Sequence, residues 1–99
     1  MKTFLVELYL ARAARGELQR QAQGAQAAAE RLTARGTRIS YLRTHFAPED
    51  ESCFHVFTGT SRDDVAEACR RAGIAFERIV EAVGPGADQG GERCLPRTN

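Results

Sequence analysis

Both histidines of this 99-residue chain and one of its three cysteines lie in one short segment. His45, Cys53 and His55 carry imidazole and thiol groups, which nickel, zinc and copper accept as ligands. Residues 41–56 alternate like two strands joined by the acidic turn 48–51. If these strands pair so that one face is apolar, the polar side chains meet on the other face. The apolar face would then hold Leu42, Phe46, Phe54 and Val56, and the polar face Tyr41, Arg43, His45, Cys53 and His55.

A metal site on this hairpin could draw further ligands from nearby carboxylates. Residues opposite each other on paired strands have Cβ atoms about 4.5–5.5 Å apart, which is close enough to share an ion. Glu7 on a neighbouring strand, and Asp50 and Glu51 in the turn, could supply oxygen atoms. We therefore predict a site for nickel or another transition metal. Its ligands would come from His45, Cys53, His55, Glu7, Asp50 and Glu51.

The same residues allow other interpretations. Imidazole is amphipathic, so both histidines could be half-exposed residues in an interface that binds no ligand. Cys53 could be a small buried apolar residue, or a reactive thiol if a cationic neighbour such as Arg43 lowers its pKa. The acids 49–51 lack the D-x-D-x-D-G pattern of calcium loops, which favours a solvated turn.

Hydrophobic periodicity predicts the elements that position these residues. Strict alternation over residues 3–10 predicts a strand. The three-then-four spacing of leucine and alanine between residues 16 and 35 predicts an amphipathic helix that ends at Gly36. The hairpin strands occupy 37–46 and 53–58, and a final strand occupies 76–83. Between them, Ser61 opens a second helix, with Asp64 three residues later, and Gly73 closes it.

The order strand, helix, strand, strand, helix, strand predicts an α+β ferredoxin-like fold. Its four-stranded antiparallel sheet has the order 4-1-3-2, with both helices on one face. We assign residues 1–84 to this domain and interpret the Gly- and Pro-rich residues 85–99 as a flexible tail. The open face would carry four large apolar side chains, so we expect a second copy to cover it as a homodimer. Those side chains are Leu5, Tyr9, Tyr41 and Phe57.

Two segments resemble a known family. The run Y-L-R-T-H-F-A-P-E-D-E-S-C-F at 41–54 and the run R-R-A-G-I-A-F-E-R-I-V-E at 70–81 are similar to a widespread group of small bacterial proteins of unknown function. Members of that group are often called nickel-binding proteins. The opening M-K-T-F-L-V-E is similar to the family's first strand, so the likeness covers about residues 1–83. The resemblance implies a ferredoxin-like fold, a dimer and nickel binding.

Composition argues against several classes of partner. Fourteen basic residues balance thirteen acidic ones, so the basic surplus typical of nucleic-acid binders is missing. The apolar runs are too short to cross a membrane. Glu7 interrupts the apolar stretch that an export signal would need, which favours the cytoplasm. Three cysteines without C-x-x-C spacing favour reduced thiols in that compartment.

Three functions from different classes follow from these observations. The first, which we predict, is a non-catalytic metal-binding protein that uses the histidine and cysteine cluster. The second is an enzyme of the dimeric α/β-barrel type, or a small-molecule-binding protein, whose pocket contains Tyr9, Tyr41 and a histidine. The third is an interaction module for which only the dimer face is special.

Overall fold

The computed structural model describes residues 1–84, in which four strands and two helices follow the predicted order. The tail interpretation for 85–99 lies outside the described residues. Neither helix in the described range is long and apolar enough to span a membrane. The elements are β1 (Lys2–Tyr9), α1 (Glu17–Ala34), β2 (Ile39–Ala47), β3 (Ser52–Gly59), α2 (Arg62–Ala72) and β4 (Arg78–Ala82), with a short 3-10 helix at Arg12–Ala14.

The strands form one sheet in the order β2-β3-β1-β4, and each neighbouring pair is antiparallel. Counted from the other edge, this is the predicted order 4-1-3-2. The ferredoxin-like α+β fold is therefore confirmed. Buried side chains of both helices join those of one sheet face in a single core. We call that side of the sheet the helix face and the opposite side the open face.

The helix ends follow the predicted capping residues. The Ser61 hydroxyl accepts a hydrogen bond from the backbone N–H of Asp64 over 3.2 Å, as an N-cap does. Gly73 ends α2 in the left-handed conformation, with φ of 73°. A Cβ atom at Gly24 of α1 would lie 3.5 Å from that of Ala72, so the two helices meet closely at this point.

The hairpin register differs from the alternating pattern because β2 contains a bulge at Leu42. Tyr41 pairs with Phe57 and Arg43 pairs with Val56, so Leu42 has no partner. A bulge adds one residue to one strand and reverses the face of every later residue on it. Unbroken alternation from buried Ile39 would turn Arg43 and His45 towards the core, where unpaired polar groups are costly. The bulge turns Thr44 and Phe46 inward instead.

Candidate functional site

The predicted cluster of His45, Cys53 and His55 is not formed in one chain. His45 pairs with Phe54 on the open face, where its ring is exposed and accepts a hydrogen bond from Arg43 Nε over 2.9 Å. Cys53 and His55 point to the helix face and are fully buried. The prediction that these three side chains share a face is wrong, because the register places His55, and not Leu42 or Phe54, in the core.

The remaining predicted ligands are also separated. Glu7 lies on the open face, and its carboxylate accepts a hydrogen bond from Arg78 Nε over 2.6 Å. Asp50 is exposed in the turn between β2 and β3. Within residues 1–84, no group of three His, Cys, Asp or Glu side chains is placed to hold a metal ion.

Glu51 joins the β2–β3 turn to the end of β1. Its carboxylate accepts hydrogen bonds from the Arg12 backbone N–H over 2.9 Å and from the Tyr9 hydroxyl over 3.2 Å. The Arg12 N–H lowers the pKa of Glu51 because it stabilises the carboxylate. The residue has a positive φ of 52°, which the turn requires. These contacts explain Glu51 as a structural residue of the turn.

The predicted aromatic surface divides between the two faces. Tyr9 lies on the open face as expected and is 59% exposed. Tyr41 and Phe57 lie on the helix face instead, with ring centroids 5.7 Å apart in an edge-to-face arrangement. The prediction that Tyr41 and Phe57 lie on the open face is wrong. Phe57 is fully buried on the helix face, and Tyr41, which precedes the bulge, pairs with it on that face.

His55 is the one buried polar or charged residue in the described chain. Its imidazole is inaccessible to water, and this burial lowers its pKa to about 4, since the charged form loses hydration. The ring is therefore neutral at neutral pH. Both ring nitrogens are within hydrogen-bonding distance of polar side chains, as a buried imidazole requires.

A continuous chain of hydrogen bonds passes through His55, and we call it the polar chain. His55 Nε2 lies 2.8 Å from Oε1 of Gln21 in α1. His55 Nδ1 lies 2.7 Å from the Thr44 hydroxyl oxygen, which lies 2.6 Å from the Tyr41 hydroxyl oxygen. The Cys53 sulfur is a more distant neighbour, 3.8 Å from Nε2. The polar chain links the half-buried α1 surface to the half-buried β2 surface through the core.

Two grooves between α1 and β2 share Tyr41 as a lining residue. The first, the Phe46 groove, measures about 330 Å³ and the second, the Ile39 groove, about 290 Å³. The Phe46 groove also borders Thr44, so two hydroxyl-bearing members of the polar chain line it. Its lining residues are Leu18, Gln19, Ala22, Tyr41, Leu42, Arg43, Thr44 and Phe46. The Ile39 groove is lined by Gln26, Ala29, Glu30, Thr33, Ile39, Ser40 and Tyr41.

The buried thiols have little nucleophilic character. Burial raises the pKa of Cys53 to about 11 and that of Cys69 to about 12. Since the thiolate is the reacting species, both groups are inert at neutral pH. The interpretation of Cys53 as a small buried residue agrees with this environment, and Arg43 lies on the opposite face of the sheet.

Two members of the polar chain, Gln21 and Thr44, were not identified from the sequence. For Gln21 a signal existed. The residues 18, 21, 25, 28 and 32 follow a three-then-four spacing, and glutamine is the polar member of that otherwise apolar stripe. A polar residue on a buried stripe requires a partner inside the core. Thr44 had no comparable signal, because its direction depends on the bulge at Leu42.

The open face carries a third groove of about 350 Å³. Leu5 and Val56 lie opposite each other in its lining, and Leu42 and Val83 are 45% and 83% exposed at its borders. This face is the one that we expected a second copy to cover. Leu5 lies there as expected, whereas Tyr41 and Phe57 are on the other side of the sheet, and Leu42 and Val56 line the groove with Leu5 instead.

Comparison with known proteins identifies a neighbour in fold. No protein-family model matches the sequence, and no curated protein matches it either. The crystal structure of SCO4226 from Streptomyces coelicolor A3(2) matches with a TM-score of 0.68 at 16% sequence identity. The match covers 81% of this chain and 94% of that one. At this identity the likeness shows the shared fold.

Proposed function

We propose that this protein binds a small, mainly apolar organic molecule in the Phe46 groove, between α1 and β2. The observation that supports this function is the polar chain, because it carries hydrogen-bonding groups from the buried His55 to Thr44 and Tyr41 in the groove lining. Ligand pockets combine apolar walls with a few fixed polar groups. Such pockets measure roughly 300–1,000 Å³, and the groove of about 330 Å³ is at the lower end of that range.

The lining suits an aromatic or similarly flat apolar molecule. Leu18 and Phe46 provide apolar walls, and Ala22 leaves space where a longer side chain would fill the groove. Leu18 and Ala22 belong to the predicted buried stripe of α1 but stay half-buried, because they line the groove. Covering this surface with an apolar ligand would be favourable by about 25 cal/mol per Å².

Binding without catalysis is the form of this function that the titratable groups support. A general base is most effective when its pKa is near the working pH. His55 has a pKa of about 4 and Cys53 a pKa of about 11, so neither group exchanges a proton readily at neutral pH. The polar chain is accordingly suited to orienting a ligand.

The experiment is a matched pair of groove-filling variants, with 2-naphthol as the test compound. Ala22→Phe fills the Phe46 groove, whereas Ala27→Phe places the same side chain on an exposed position of α1. We expect 2-naphthol to shift the backbone amide NMR signals of α1 and β2 in the wild type and in Ala27→Phe. The shifts should vanish in Ala22→Phe. Equal shifts in both variants would exclude the groove as the binding site.

Metal binding through a second copy of the chain is a second candidate function. The observation that favours it is the exposed imidazole of His45, which shares the open face with Glu7. Phe54 lies between them in the sheet, so one chain holds them too far apart for one ion. Two open faces packed together would place four such side chains in one interface. A homodimer on this face is part of the proposal.

Substitution of each histidine distinguishes this candidate from a metal site that uses His45 and His55 together. Untagged, reduced protein is dialysed against nickel, and bound metal and molecular mass are measured together. We expect His45→Ala to lose the metal and His55→Ala to keep it, because His55 is buried on the other face. A protein that remains monomeric or retains no nickel would refute this second function. It would leave the groove proposal unaffected.

A further inference from the structure

We propose that the polar chain is polarised from Tyr41 to Gln21, so that the Phe46 groove selects ligands that donate a hydrogen bond, such as hydroxylated aromatic molecules. This inference rests on the proposed ligand-binding function and adds the chemical class of the ligand. It also assigns Gln21 as the positioning residue that sets this preference, although Gln21 is outside the groove lining. The direction follows from the number of protons that each member can give.

The direction is set at the α1 end of the polar chain. The amide oxygen Oε1 of Gln21 faces His55 Nε2, and a carbonyl oxygen can accept but not donate. His55 Nε2 must therefore carry the ring proton. Since the buried ring is neutral, Nδ1 has a lone pair and must accept. The tautomer of a buried histidine is determined by its partners in this way.

The remaining bonds follow one by one. The Thr44 hydroxyl lies 2.7 Å from His55 Nδ1 and must donate its single proton there. Thr44 Oγ1 can then only accept from the Tyr41 hydroxyl, 2.6 Å away. Tyr41 uses its single proton in this bond. Tyr41, Thr44 and His55 thus each donate in the direction of Gln21, and the ordered bonds polarise one another in the same sense.

Tyr41 consequently presents lone pairs and no proton to a ligand. A hydroxyl group on the ligand can donate to the Tyr41 oxygen and extend the chain by one bond. A carbonyl or ether oxygen at the same place would meet another acceptor and lose its hydrogen bond to water without replacement. The Tyr41 oxygen and the ligand oxygen would then both lack a donor, so we expect such ligands to bind more weakly.

Gln21 determines this direction because it is the terminal acceptor. If its side chain donated instead, His55 Nδ1 would carry the proton and every bond would reverse. Tyr41 would then have a free proton, and the preference would change to acceptor ligands. Gln21→Glu keeps an acceptor of the same shape, whereas Gln21→Met removes it. Gln23→Met is the matched control, because Gln23 is exposed on the same helix.

The first measurement tests the polarity without a ligand. Nitrogen-15 NMR of the wild-type protein at pH 7.5 distinguishes the two neutral tautomers of His55. We expect the proton on Nε2 in the wild type, in Gln21→Glu and in Gln23→Met. A proton on Nδ1 in the wild type would overturn the inference, and it would do so without touching the proposed binding function.

The second measurement compares 2-naphthol with 2-methoxynaphthalene, which has the same rings and oxygen but no proton to donate. We expect 2-naphthol to bind the wild type about tenfold more tightly, the equivalent of one hydrogen bond. The ratio should persist in Gln21→Glu and Gln23→Met and approach one in Gln21→Met. Equal binding of both compounds by the wild type would overturn the ligand class but not the site. Binding of neither compound would refute the proposed function, and the ligand class with it.

Discussion

Acid sensitivity of folding is the clearest consequence of the buried His55. The perturbation is a fall in pH, compared between the wild type and His55→Gln, which keeps a hydrogen-bonding side chain but does not titrate. In the unfolded chain the imidazole has its ordinary pKa of 6.5, whereas burial lowers the pKa in the folded protein to about 4. Below pH 6.5 the unfolded chain therefore binds a proton that the folded protein does not. Stability must fall as the pH falls through this window.

The size of the effect follows from the two pKa values. A tenfold difference in proton affinity is equivalent to about 1.4 kcal/mol, so the gap between 6.5 and about 4 amounts to roughly 3 kcal/mol in full. At pH 5 about 2 kcal/mol of this has been lost, and the loss levels off below pH 4. Small domains are stable by only about 5–15 kcal/mol, so the change is easily measured.

The assay is urea unfolding at pH 7.5, 6 and 5, followed by circular dichroism. We expect His55→Gln to be less stable at pH 7.5 but to lose about 2 kcal/mol less than the wild type on going to pH 5. His45→Gln is the matched control, because it makes the same replacement at an exposed imidazole. Parallel profiles for the wild type and His55→Gln would refute the assignment of a neutral, desolvated His55.

Three further expectations test the packing. Gly24→Ala should stabilise the protein by about 1 kcal/mol in urea unfolding, since the new Cβ makes only an ordinary 3.5 Å contact and alanine favours helix. Gly73→Ala should cost about 1–2 kcal/mol in the same assay, because its φ of 73° is left-handed. In a Cys94→Ser background, Cys53 and Cys69 should resist a thiol reagent in the native protein and react in urea; rapid native labelling would contradict their burial.

The sequence alone determined the fold class and the ends of the second helix. Alternation in β1, the three-then-four stripe of α1 and the caps at Ser61 and Gly73 are local signals, and the structure confirms each of them. The order of elements then left one common topology, because crossovers are right-handed and short. These properties depend on a few neighbouring residues at a time, so a single sequence is enough to predict them.

The site depended on tertiary structure, because one residue in β2 changes which face each later side chain occupies. The bulge at Leu42 lets Ile39 and Phe46 both pack inward while Arg43 stays in water. The position of the bulge depends on the burial of apolar side chains and the desolvation of polar ones across the whole sheet, so no local sequence pattern predicts it. As a result, His45 and His55 are on opposite faces.

The contact between Gln21 and His55, which are 34 positions apart in the sequence, also depends on the packing of the whole core. A buried imidazole must have partners, and the polar side chain on the inner stripe of α1 was in position to supply one. The sequence contained both residues and the polar interruption of the stripe. Only the packing of α1 against the sheet decided that the two would meet, since a contact between distant elements depends on how the whole core closes.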